Sequence, residues 1–138
     1  MAETVIEVRG LRTQFGRHVV HDGLDLDLRR GEILGVVGGS GTGKSVLLRS
    51  IVGLQTPAAG TITMLGREMG AATEAERAAL AGRIGVMFQD GALFSSLTVV
   101  ENVEVPLRTI PGLDPRTRED LARFKLALSG LPRDAGDK

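Results

Sequence analysis

The spacing of apolar residues changes from stretch to stretch along this chain, and the spacing predicts the elements. Val5-Ile6-Glu7-Val8-Arg9 mixes β-branched side chains with charge and reads as a strand. Leu11 to Phe15 continues it past Gly10, which is placed to form a bulge. Gly16-Arg17 reads as a turn. From His18 to Arg29, Leu24, Leu26 and Leu28 alternate with Asp25 and Asp27, so a strand pair or a bent strand has one buried face and one wet face. Ile33-Leu34-Gly35-Val36-Val37 is a continuous apolar run, which predicts a buried central strand. Between Val46 and Val52 the apolar residues at 47, 48, 51 and 52 share one face of a helix, and Gly53 can stop it.

The second half repeats this logic. Leu54 to Gly60 is a loop, Thr61 to Leu65 a strand and Gly66-Arg67 a turn. Thr73 with Glu76, and Thr98 with Glu101, have the spacing of capping boxes, which start helices at Glu74 and Val99. Ile84 to Phe88 is a further apolar strand, ending at Gln89. Pro106 limits the helix begun at Thr98, and Asp114-Pro115 starts another. Leu121, Phe124 and Leu128 share one face of that helix, with Gly130 as its stop. Leu131 to Lys138 reads as a polar tail without an element.

Composition narrows the class. The chain has 138 residues, enough for one modest domain with a core. Seventeen basic and seventeen acidic side chains cancel, so no excess charge points to nucleic acid or acidic lipid as a direct partner. There is no cysteine, hence no disulfide framework and no thiolate metal site. Met1-Ala2-Glu3-Thr4 lacks the basic start of a signal peptide, and no apolar run approaches the length of a membrane span.

The chemistry concentrates at Gly38-Gly39-Ser40-Gly41-Thr42-Gly43-Lys44-Ser45, which fits the phosphate-binding pattern G-x-x-x-x-G-K-[ST]. An apolar run precedes it and a helix follows, the context that separates a functional loop from a chance glycine-rich turn. Glycines let successive N–H groups converge on one anion at a helix N-terminus. Lys44 adds a mobile positive charge for phosphate oxygens, and Ser45 a hydroxyl suited to Mg²⁺.

Other candidates have plainer readings beside the chemical ones. Phe15, one of four aromatic residues, stands at the turn of the first sheet and is either a stacking surface for a nucleobase or a core side chain. Gln89 ends an apolar strand, where ligands bind in open α/β sheets, and can hold a metal or water; it is otherwise a turn residue. His18 and His21 have no third ligand and read as surface or hairpin residues. Asp25 and Asp27 read as a solvated strand face.

Phe15-Gly16, GGSGTGKS and Phe88-Gln89 together resemble the aromatic loop, Walker A motif and Q-loop of an ATP-binding-cassette (ABC) transporter ATPase, with Gln89 lying 45 residues after Lys44. Over GGSGTGKSVLLRSIVGL and FQDGALFSSLTVVENVEVPL the chain is most similar to ATPases of Mla-type phospholipid transporters, which are linked to MCE-domain lipid-binding proteins. The resemblance implies an α/β P-loop NTPase of the ABC type: an antiparallel β region over 1–31, a P-loop core over 32–90 belonging to a RecA-like domain, and the Q-loop with the start of a helical subdomain over 91–138. It implies ATP and Mg²⁺ as ligands. Phe15 would stack on adenine, while Gly38, Gly39, Ser40, Gly41, Thr42, Gly43, Lys44, Ser45 and Val46 would surround the phosphates. Lys44 and Gln89 would act in catalysis, and Ser45 and Gln89 at the metal. Val46 stands where many relatives carry a second hydroxyl, so one phosphate contact is lost. Implied partners are a membrane-spanning permease, a second ATPase subunit and, indirectly, an MCE-domain protein, at the cytoplasmic face of the cell membrane.

The resemblance also marks what the sequence lacks. No LSGGQ-type signature, Walker B strand or switch histidine is present, and Leu128-Ser129-Gly130 ends a helix instead of starting one. The chain therefore reads as the N-terminal part of such an ATPase, ending before the signature motif and without hydrolytic competence alone. In the family, two strands supplied by the later half separate the Walker A and Q-loop strands, so Ile33–Val37 is expected to show an unpaired edge. Alternatives are a non-hydrolysing nucleotide-binding paralogue and another kind of P-loop NTPase. The antiparallel sheet ahead of the loop speaks against the latter.

Overall fold

A computed structural model of the chain describes residues 3–88 and 91–138. It divides into two compact units, residues 1–86 and 87–138.

The first unit is built on a long hairpin. Strands β1 (Thr4–Phe15) and β2 (His18–Arg29) pair antiparallel around the Gly16-Arg17 turn. The bulge predicted at Gly10 is present. Val8 faces Leu26 and Leu11 faces Leu24, so β1 carries one extra residue between them. This switches the buried parity from Ile6 and Val8 to Leu11 and Thr13, keeping both halves of the strand on the core. The N–H of Gly10, freed from the ladder, donates to Asp25 Oδ1 at 2.6 Å. Asp25 is thus more than a wet strand position. Asp27 and Glu7 instead pair with exposed Arg9, at 2.8 and 3.0 Å.

Strand β3 (Ala59–Met64) joins the other side of β1, and the short β4 (Arg67–Glu68), which the pattern had suggested only as a turn, completes the antiparallel order β2-β1-β3-β4. Gly60 adopts φ +89°, and a Cβ there would stand 2.5 Å from the Gly10 carbonyl oxygen, so glycine permits the close approach of β3 to the bulge. Helix α1 (Lys44–Ile51) contributes Leu47 and Ile51 to a core with Val8, Leu11, Ile62 and Met64. Leu48, expected on the same face, is exposed, and Ser50 is buried instead, its hydroxyl donating to the Val46 carbonyl at 2.9 Å. Helix α2 (Glu74–Ala81) starts at the Thr73–Glu76 capping box and buries Leu80.

Two expected strands do not form. Residues 33–37 and 84–88 have no ladder partner among the described residues. Ile33 is 99% exposed, Val37 92% and Met87 96%, so apolar runs that read as central strands lie open. A strand is a property of a pair: apolar content favours burial, but ladder hydrogen bonds must come from a neighbour.

The second unit is helical. Helix α3 (Val99–Glu104) begins at the Thr98–Glu101 box and passes into a 3₁₀ turn, Val105–Thr109, at Pro106. Asp114 caps α4 (Pro115–Leu128) by accepting from the N–H groups of Arg116 and Thr117, both at 3.1 Å. The face predicted to be apolar, Leu121, Phe124 and Leu128, is exposed, while Ala122 is buried. The C-terminal stretch is not a tail. It forms a 3₁₀ turn (Arg133–Asp137), with Val99 N–H donating to the Lys138 carbonyl at 3.0 Å and Arg123 pairing with Asp137 at 3.0 Å.

Both capping boxes hold their glutamates below the usual carboxylate range, chiefly because the backbone N–H of Thr73 donates to Glu76 and that of Thr98 to Glu101. A lowered folded value means that the ionised cap stabilises at neutral pH and that its contribution is lost as the pH falls through that value. Thr98→Ala should cost about 1 kcal/mol. Chemical denaturation of wild type and Glu101→Gln at neutral and acid pH should show the difference between them shrinking as the pH falls.

Candidate functional site: a phosphate loop seated on the sheet

The loop Gly38–Ser45 joins the exposed 33–37 segment to α1. It turns into the helix at Gly43, the N-cap, with φ 93° and ψ 2°. This left-handed conformation costs an L-residue about 1–2 kcal/mol. Space imposes a second restriction. A Cβ on Gly43 would lie 2.5 Å from Val20 Cγ1 and 2.7 Å from His21 Nε2. The loop backbone therefore rests directly on β2.

The helix start has the donors of an anion site. No side chain caps it, and the first internal bond runs from Leu47 N–H to the Gly43 carbonyl at 2.8 Å. The N–H groups of the first turn lack helical acceptors and carry the positive end of the helix dipole. Lys44 reaches back over the loop, its Nζ donating to the carbonyls of Gly38 at 2.7 Å and Gly39 at 2.6 Å. Both partners are neutral, so they leave the ammonium charge uncompensated. The Thr42 hydroxyl also donates to the Gly39 carbonyl, at 2.9 Å, closing the loop on itself. Ser45 is exposed in the first turn and Val46 half-buried beside it. The residues fit a polyphosphate: uncapped N–H groups, a mobile ammonium on exchangeable carbonyls, and an accessible hydroxyl. Mg²⁺ retains most of its water and takes few protein oxygens, which suits a single hydroxyl ligand.

Phe15 ends β1 opposite His18 and is 51% exposed. A core role does not fit that exposure. The hairpin carrying it is the one whose Val20 and His21 touch Gly43. Gln89 lies outside the described residues. Among the described residues, no group of three or more His, Asp or Glu side chains could hold a metal.

Three features escaped the sequence reading. Val20 and His21 line the loop because β2 is irregular twice. Leu11 faces Leu24 and Thr13 faces His21, so one extra residue of β2 between Leu24 and His21 brings His21 to the face of Thr13. Gln14 faces Val19, leaving Val20 as a second extra residue. Simple alternation with Leu24, Leu26 and Leu28 would put His21 on the wet face. The third feature is Asn102 in α3. Its amide donates to the carbonyls of Phe94, Leu97 and Thr98 at 3.1, 3.1 and 2.9 Å, and its Oδ1 accepts from Phe94 N–H at 2.8 Å. It braces the loop from 94 to 98. An asparagine four residues after a capping threonine was the available signal.

A family model described as ABC transporter matches residues 21–137. The chain is 41% identical over 130 residues to the methionine import ATP-binding protein MetN of Rhizobium johnstonii, covering 94% of this chain and 36% of that protein. It is 38% identical over 129 residues to the probable ribonucleotide transport ATP-binding protein mkl of Mycobacterium leprae, covering 94% and 37% respectively. It thus spans little more than a third of the length of these curated relatives. Among solved structures, the dimeric bacterial ABC transporter cassette MJ0796 superposes with a TM-score of 0.84 at 24% identity, over 95% of this chain and 60% of that one. A likeness of that kind shows the fold.

Gly43→Ala should combine strain with a clash against β2 and destabilise the first unit by about 2 kcal/mol or more. Thermal unfolding would read the loss. An unchanged melting temperature would mean that Gly43 does not sit against Val20 and His21.

Proposed function

We propose, from the premise that this chain belongs to the ABC transporter family, that it supplies ATP-binding machinery to such a transporter. The observation carrying this reading is the loop at Gly38–Ser45, with its uncapped helix start and with Lys44 held only by neutral carbonyls. Backbone N–H groups from Gly38 to Val46 bind the phosphates. Lys44 exchanges the Gly38 and Gly39 carbonyls for phosphate oxygens, and the Phe15 ring supports the adenine. The Ser45 hydroxyl orients toward the metal, and Gln89 is assigned to the metal or the water on the resemblance alone. When bound, Mg-ATP supplies the phosphoryl group and the metal charge that offsets the phosphates.

Residues 1–31 and 32–90 are read as the β region and the P-loop core, although β3 and β4 of the latter share the first sheet. Residues 91–138 are read as the Q-loop segment with the start of a helical subdomain. Hydrolysis additionally requires a water-activating carboxylate and a signature loop, neither of which the sequence contains. Nucleotide binding is therefore the role assigned to these 138 residues.

Partners follow from the same reading: a permease, a second ATPase subunit, and attachment at the cytoplasmic face of the membrane. Among the described residues, no helix is long and apolar enough to cross a membrane. The surface offered to it is the braced loop after Gln89, where Leu93 and Phe94 are exposed. For the cargo we favour phospholipid delivered with an MCE-domain protein, on the similarity of residues 88–107 to Mla-type ATPases. Methionine import is the second reading, supported by the name of the 41% identical relative.

Lys44→Ala should weaken ATP binding roughly tenfold or more, the worth of charged hydrogen bonds, with little effect on folding. Equilibrium binding tests this, and wild-type affinity would remove the assignment. For the partner, cysteines at Ser95 or Ser96 should crosslink to the permease in the assembled transporter. Crosslinks arising only from a distant face would refute the docking surface. Transport by the assembled complex in vesicles, with labelled phospholipid against labelled methionine, decides the cargo.

A further inference from the structure

His21 is half-buried, and its Nδ1 lies 2.6 Å from the hydroxyl oxygen of Thr13. Thr13 is 1% exposed, and His21 is its directly facing residue on β2. One extra β2 residue between Leu24 and His21 brings His21 to the face of Thr13, and the bulge at Val20 puts Val20 beside it, both toward the loop. The far edge of the ring, Nε2 and Cε1, occupies the space a Gly43 side chain would need. A buried hydroxyl thus fixes one end of a ring whose other end meets the loop where it enters α1. Gly43 holds its left-handed turn beside this wall, and the N–H groups of the next residues inherit their direction from that turn.

We propose that His21, fixed by Thr13, is a positioning residue for the phosphate loop. It sets the Gly43 turn so that the first-turn N–H groups converge before nucleotide arrives. The proposal rests on the nucleotide-binding reading above and adds a residue to it. His21 acts through Gly43 and need not touch the ligand. Loss of the Thr13 hydroxyl lets the ring swing, and the loop then samples turns that must be reordered on binding.

The test uses the full chain as wild type, Thr13→Val, Thr13→Ser and His21→Ala. Thr13→Val keeps the shape of the buried side chain and removes only its hydrogen bond. Two readouts are needed: equilibrium affinity for a fluorescent ATP analogue with Mg²⁺, and hydrogen exchange of amides 41–46 without nucleotide, each beside a melting temperature. Thr13→Val and His21→Ala should weaken affinity about 2- to 10-fold, the worth of one hydrogen bond, and speed loop exchange. Thr13→Ser should restore both. A lower melting temperature with unchanged affinity and loop exchange would make the pair merely structural and overturn the proposal. So would failure of Thr13→Ser to restore the loop. If the wild type binds no nucleotide, the functional reading fails, and loop exchange without nucleotide still decides the role of His21.

Discussion

The seat of Gly43 against the bulged strand β2 is the contact on which the phosphate loop depends. A loop of glycines is free to converge its N–H groups on an anion, and equally free not to. Order must come from outside it. At its end Val20 and His21 close the space around Gly43, while Leu47 and Ile51 fasten the following helix into the sheet core. The loop thereby gains a fixed exit without any side chain of its own reaching the core. Entropy that a bound anion would otherwise have to remove is removed by folding.

The same sheet explains why irregularities recur in one hairpin, whose register shifts at four places. A single register along twelve residues would keep one parity inward throughout. The bulge at Gly10 shifts β1 from even to odd buried positions, and the one at Val20 turns an extra residue of β2 toward the loop. Two of these irregularities leave a backbone or side-chain group needing a partner. Asp25 answers the N–H of Gly10, and Thr13 answers the imidazole of His21. Polar groups placed at bulges thus hold the geometry that apolar packing alone would leave free.

The helical unit solves another problem. Its helices of six and fourteen residues are too short to rely on propensity. Their ends are fastened instead: a capping box at Thr98, an aspartate cap at Asp114, and the C-terminal stretch hydrogen-bonded to the first residue of α3. Asn102 extends the bracing to the preceding loop, so the exposed Leu93 and Phe94 are carried by a segment tied to a helix. Apolar side chains presented on a braced loop suit recognition better than the same residues on an untethered one.

By itself the sequence determined whatever is decided within a few residues. The phosphate loop, both capping boxes, the Gly10 bulge and the helix starts at Glu74, Val99 and Pro115 all follow from local chemistry: glycine torsions, side chains reaching nearby N–H groups, proline at a first turn. The tertiary structure alone decided what requires a partner distant in sequence. Ile33–Val37 and Ile84–Phe88 read as strands from apolarity, yet a strand needs a facing ladder, and no described residue supplies one. The apolar stripe of α4 lies exposed for the same kind of reason, since burial requires something to bury against. His21 reversed its expected face because register is set by pairing, and the extra residue of β2 between Leu24 and His21 turned its ring from solvent to the phosphate loop.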